Sequence, residues 1–223
     1  MIKLEKLDPP ALLVKNGELW KTTLLARIAA NEKPTGTVKT RYRHAMIKAV
    51  LVRETNGKCA YCESKLQHIH HGDVEHIVPK SLDPALTFEW SNLTLACEVC
   101  NQNKSDLDPK TENIIDPYAT NPEDHLFFLG GLVFARADSA RGVATRIILK
   151  LHRPELVEMR NRQLDGIMKI YHQIQNGSLP LSVRKAIYSD FVDTETSPSA
   201  PYSAMTKCVV KEMEKYVDPA ILE

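Results

Sequence analysis

Two Cys-x-x-Cys pairs, Cys59/Cys62 and Cys97/Cys100, constrain this chain more than any other feature. The spacing lets both thiolates of one turn reach a single ion, and two such turns complete a tetrahedral set. Zinc held by four cysteines supports structure and keeps no open position for chemistry. Metal binding then closes the loop over residues 63–96 and orders a segment too small to bury its own core. The competing reading is four buried or redox-active thiols. Paired motifs of this spacing, the second opening a helix, favour metal in a reducing compartment. Cys208 has no partner motif and reads as a packed residue.

Between the pairs, residues 73–79 (D-V-E-H-I-V-P) alternate like a strand that Pro79 ends. Residues 93–96 (L-T-L-A) read as its return strand. From Cys97 a short helix follows, carrying Asn101 and Lys104. A hairpin followed by a helix brings Glu75, His76 and Asn101 to one edge. Those residue types suit phosphodiester hydrolysis. A neutral imidazole, with an ordinary pKa of about 6.5, takes a proton from water near neutral pH. A carboxylate and an amide oxygen suit a hard divalent ion, Mg²⁺ or Mn²⁺. Such an ion polarises the phosphate and stabilises the leaving 3′ oxygen. The expected catalytic set is therefore His76 as base, Glu75 and Asn101 as ion ligands, and Asn92 as a brace for the long loop. Asp73 shares the strand face of Glu75 and is expected to tune the site without ligating. Lys104, one helical turn past Asn101, is an expected phosphate contact.

Charge supports the same direction. The 223-residue chain carries a net charge of only +1, but unevenly. Residues 21–58 hold nine Lys/Arg against Glu32 and Glu54, a balance of +7. Residues 59–125 hold four Lys against twelve Asp/Glu, a balance of −8. A charge run is by itself most simply a solvated helical face. Beside the Glu-His-Asn constellation it points to nucleic acid, with Lys104, Lys80, Arg41, Arg43 and Lys48 as the candidate contacts. No apolar run approaches the ~20 residues of a membrane span, and the N-terminal residues contain no apolar signal core. A cytoplasmic protein without membrane association is the default expectation.

The rest of the chain reads as an α+β protein in three segments. Residues 1–45 form an N-terminal arm and basic helical segment, with a turn at Asn16-Gly17, Trp20 in the core and a short helix over 23–30. Residues 46–118 form the core, entered by a helix with Met46, Ile47, Val50 and Leu51 on its apolar stripe and stopped by Asn56-Gly57. Residues 119–223 are mostly helical, after two short strands about Gly130-Gly131. Pro154 opens a long amphipathic helix there, ended by Asn176-Gly177, and helices over 183–192 and 205–217 follow. His68, His70 and His71 precede the first core strand and read as loop residues before metal ligands or phosphate contacts. His44, His152 and His172 read as ordinary helix residues.

The pattern Cys-x-x-Cys, Glu-His-Ile-x-Pro-Lys, Trp-x-Asn-Leu, Cys-x-x-Cys-Asn-x-x-Lys resembles the HNH endonucleases, in the variant whose last histidine is asparagine. The resemblance implies a small ββα-metal core with a four-cysteine structural zinc site, flanked by N-terminal and C-terminal helical segments. It implies a nuclease whose substrate is nucleic acid, with DNA expected. Glu75 stands where most of that superfamily has Asp. Residues 56–128 are most similar to the HNH subunits of Septu-type and retron-linked antiphage systems, with a weaker likeness near residues 153–162. That likeness implies a partner, a PtuA-like ABC/SMC-type ATPase. Two rivals are a zinc-stabilised module that binds nucleic acid or protein without cutting, and a stand-alone nuclease of restriction or homing type.

Overall fold

In the computed structural model, residues 1–66 and 72–222 are described. His68, His70 and His71 lie outside the described residues. The first helix, α1 (Ala11–Ala29), follows the extended backbone of Pro10 and runs through the expected turn at Asn16-Gly17. Asn16 donates from Nδ2 to the Leu12 carbonyl at 2.8 Å, as a helix-interior Asn does when its side chain bonds back. A glycine in mid-helix costs about 0.5–1 kcal/mol. Burying Leu13 and Leu24, at about 1.5–3 kcal/mol each, outweighs that cost. From Ala11 the N-terminal segment is thus a helix and not an arm with a turn, while residues 1–10 carry no regular secondary structure. Helix α1 lies on the 3₁₀ turn Pro84–Phe88, with Trp20 edge-on to Phe88 at 5.7 Å.

A five-residue helix, α2 (Gly36–Thr40), and a 3₁₀ turn, Arg41–Arg43, lead into α3 (Ala45–Glu54). His44 caps α3 by accepting from the Met46 amide at Nδ1. Ile47, Val50 and Leu51 are buried, whereas Met46, expected on the same stripe, is half exposed. Asn56 and Gly57, at φ 54° and 66°, take the left-handed conformation that ends the helix and turn the chain into Cys59.

The central hairpin pairs β1 (Asp73–His76) with β2 (Leu93–Ala96), Glu75 opposite Thr94 and His76 opposite Leu93. Helix α4 (Glu98–Lys104) follows at once. A second hairpin, β3 (Leu126–Leu129) with β4 (Leu132–Ala135), turns at Gly130, φ 58°. Helix α5 (Ala140–Ile148) packs on β4, and α6 (Pro154–Gln175), α7 (Leu181–Glu195), α8 (Ser203–Met213) and α9 (Pro219–Leu222) complete the chain. The main core draws on all three segments, from Leu13 through Leu93 and Ile115 to Met205, while Ile167, Phe191 and Val217 lie in a second cluster among the last helices.

One buried network fastens the N-terminal residues to this core. The Glu54 carboxylate, 7% exposed, accepts from the Leu7 amide and Tyr118 hydroxyl and pairs with Lys6 at 3.0 Å. Lys6 lies over the Trp90 and Tyr118 rings at 4.4 and 4.5 Å, so its desolvation is met by π faces as well as a carboxylate. No helix among the described residues is long and apolar enough to cross a membrane.

Two glycines should respond oppositely to alanine. A Cβ at Gly17 meets only the Leu13 side chain, at 3.5 Å, so Gly17→Ala should stabilise by about 0.5–1 kcal/mol. A Cβ at Gly142 would lie 2.2 Å from the His125 carbonyl oxygen, which is backbone, so Gly142→Ala should destabilise by about 1–3 kcal/mol. Urea denaturation of both variants checks the pair.

Candidate active site

The two Cys-x-x-Cys turns meet beneath the hairpin. The Sγ atoms of Cys59, Cys62, Cys97 and Cys100 lie within 4.8 Å of one another, and Cys62 is 3.8 Å from Cys97. A tetrahedron with Zn–S bonds of about 2.3 Å separates its sulfurs by about 3.8 Å. Donor type, number and spacing thus fit one zinc ion. Cys97 also accepts from the Cys100 amide, at 3.4 Å, as the cap of α4. The first turn is anchored separately. Glu63, buried beside Cys62, pairs with buried Lys58 at 3.2 Å and accepts from the Ser203 hydroxyl at 2.9 Å, joining the turn to α8. The Arg153 guanidinium lies 3.9 Å from Cys100 Sγ, where it offsets thiolate charge.

The hairpin and α4 bring Glu75, His76 and Asn101 together as lining of two adjoining cavities of about 230 and 330 Å³. His76 is 4% exposed, with its Nε2 3.0 Å from the Thr87 carbonyl oxygen. A carbonyl only accepts, so Nε2 carries the proton and Nδ1 is left with a bare lone pair. Tyr42 packs edge-on against the imidazole, with centroids 4.5 Å apart. Burial pushes the imidazole down to about 4 despite the Thr87 carbonyl, with help from the charges of Lys80, Lys104 and Arg43. The ring is therefore neutral at physiological pH.

Glu75 is also buried, and burial pushes its carboxyl up more than Lys104 pulls it down. Lys104 has no exposed side-chain surface. Its ammonium lies 2.9 Å from Glu75 Oε1 and donates to the His76 carbonyl at 2.9 Å. It therefore has no surface to offer a phosphate, which corrects the sequence expectation. The first turn of a helix beyond Asn101 points inward, and the cation is consumed by holding β1 to α4. Asn101 donates from Nδ2 to Asp73 Oδ2 at 3.2 Å, which orients its amide oxygen. Asp73 lines the smaller cavity with Glu75, so three oxygen-bearing side chains converge there. Asn92 is buried behind them. Its Oδ1 accepts from the Val78 amide at 2.7 Å and its Nδ2 donates to the Val78 carbonyl at 2.9 Å, closing the 77–92 loop.

Of the expected basic contacts, Arg43, Lys48 and Lys80 line the cavity at His76. Arg41 does not, because its guanidinium is drawn over the Trp20 ring at 5.5 Å. Sequence reasoning named the arginines of R-Y-R and passed over the residue between them. Tyr42 is 2% exposed and holds Arg43 and Lys80 against its ring at 5.5 and 5.4 Å while packing on the histidine. An aromatic flanked by two cations near a basic helix was the available signal.

Replacing Lys104 by methionine keeps side-chain bulk but leaves the Glu75 carboxylate buried and unpaired. The variant should lose about 3–5 kcal/mol of stability in chemical denaturation. A loss under about 1 kcal/mol would show that the pair is solvated or dispensable.

Residues 59–107 match the family model of the HNH endonucleases. Over most of its length the chain is similar to two relatives. Septu protein PtuB of Bacillus thuringiensis is 28% identical, over 77% of this chain and 70% of the relative. Septu protein PtuB of Bacillus mycoides strain KBAB4 is 25% identical, over 95% of this chain and 90% of the relative. The family resemblance read from the cysteine pairs and the Glu-His dipeptide is borne out as a match of residues 59–107 to the HNH endonuclease model.

Proposed function

We propose that this chain is a metal-dependent HNH endonuclease that hydrolyses phosphodiester bonds in nucleic acid, with DNA the expected substrate. The observation that carries the reading is His76. It is buried and fixed by Thr87 in the tautomer that leaves Nδ1 free, beside Glu75 and Asn101 and under a rim of Arg43, Lys48 and Lys80.

The rim cations hold the substrate phosphate, and the Tyr42 face keeps Arg43 and Lys80 in place. His76 Nδ1 takes a proton from water as the water oxygen bonds to phosphorus and the bond from phosphorus to the 3′ oxygen breaks. Thr87 then stabilises the imidazolium through the Nε2 proton. The oxygens of Glu75, Asn101 and Asp73 are hard donors that suit Mg²⁺ or Mn²⁺. Such an ion, when bound, supplies charge to the phosphate and to the departing oxygen. Zinc in the four-thiol cluster holds α4, and with it Asn101, against the hairpin.

The Septu relatives support a more specific role, the effector subunit of a Septu-type antiphage complex. In that reading a PtuA-like ABC/SMC-type ATPase is the partner that restrains or delivers the nuclease.

Plasmid cleavage with Mg²⁺ or Mn²⁺, with and without the co-encoded ATPase, tests this reading. Wild type should cut, and His76→Ala should cut about 10²–10⁴-fold more slowly. Equal rates would remove His76 as base. No cleavage by either protein with partner and nucleotide present would favour a zinc-stabilised binding module. Cys97→Ser should lower both the bound zinc per chain and the thermal midpoint. Normal folding with no metal lost would overturn the zinc assignment.

A further inference from the structure

A third cavity adjoins the two at His76, and it differs from them in character. Its volume is about 430 Å³ and its walls are Leu24 and Ile28 of α1 with Pro34 and Pro84, closed at one end by Thr87. Thr87 is the residue whose carbonyl oxygen fixes the His76 tautomer, so one residue separates the apolar cavity from the imidazole. Lys80 lines all three cavities. Lys39 adds a second exposed cation at the apolar one, and Ser81, donating to Asp106 at 2.8 Å, gives it a polar edge.

The catalytic reading leaves this cavity unused. A phosphodiester strand laid along Lys80 presents a flat, largely apolar ring within one nucleotide of the phosphate at His76. Apolar walls with a few polar groups at one edge are what a base taken out of a helical stack requires. A paired base cannot enter, because its faces and edge are already occupied. The cations at the mouth match the phosphates that flank such a nucleotide.

We propose that this cavity is a nucleobase subsite, which makes the enzyme's substrate a strand that is single or locally unpaired next to the cleaved bond. The proposal rests on the nuclease reading for its place in a reaction, but its test reads binding and does not require cleavage.

Full-length His76→Ala protein is titrated with a short single strand carrying 2-aminopurine at successive positions, in DNA and in RNA form. The same strand with an abasic residue at each position, and its full duplex, serve as comparisons. At one position the fluorophore should report burial, the abasic strand should bind about tenfold more weakly, and the duplex should bind more weakly still. Ile28 is 40% exposed, so Ile28→Glu should fold while placing a carboxylate in the cavity wall. It should weaken binding of the intact strand about tenfold and add little on the abasic one, which separates base recognition from simple charge repulsion. Equal affinity for intact, abasic and duplex forms would overturn the subsite, as would an equal effect of Ile28→Glu on intact and abasic strands. Wild-type cleavage of the same strands, absent in His76→Ala, reports separately on the nuclease reading. Base-dependent binding without cleavage, with the co-encoded ATPase and nucleotide added, would keep the subsite and remove the catalytic assignment.

Discussion

Four thiols brought to one point organise this molecule. The segment between the two Cys-x-x-Cys turns holds two four-residue strands, and a seven-residue helix follows from the second turn, together too little to stand alone. The four Sγ atoms lie close enough to share one ion, which, when bound, would tie each turn to the other. Helix α4 begins at the second turn, so anchoring Cys97 and Cys100 also positions Asn101. Glu63 and Lys58 extend the anchor to α8, which is how a helix about a hundred residues downstream of α4 comes to brace the same centre.

A second buried charge pair does the complementary work at the other end of α4. Lys104 binds the Glu75 carboxylate and the His76 carbonyl together, so helix and strand are joined at the Glu-His dipeptide. Burying both ions is costly, and that cost is repaid only by this geometry. The basic rim above them is held differently, by aromatic faces. Tyr42 carries Arg43 and Lys80, and Trp20 carries Arg41. One set of lysines and arginines thus divides into a buried structural member, a rim lining the cavity at His76 and a stacked bystander, according to what each side chain lies against.

The helix-hairpin-helix order of the core was legible from periodicity and punctuation. The hairpin was legible in the sequence, although β1 ends at His76, before the expected stop at Pro79; the end of α3 followed from Asn56-Gly57, and the start of α6 from Pro154. The misreadings share one cause. At Asn16-Gly17 local preference favours a turn, but burial of Leu13 and Leu24 against residues far along the chain favours helix. Met46 matched the apolar period of α3 yet stays half exposed, since a period marks a face without saying where the partner ends.

By itself the sequence determined which atoms are available and at what spacing. Two thiol pairs, a Glu-His dipeptide ending a strand and an asparagine opening a helix carry their chemistry locally, through backbone geometry that nearby residues impose. Only the tertiary structure decided what each group faces. Glu75 and His76 are neighbours in β1, and alternation alone would send them to opposite sides, yet both line the same two cavities. The His76 tautomer depends on Thr87, the burial of Lys104 on the seat of α4 under β1, and the apolar cavity on α1 lying over Pro84. Those are contacts between distant segments, and side-chain environment, unlike residue spacing, exists only once the segments have packed.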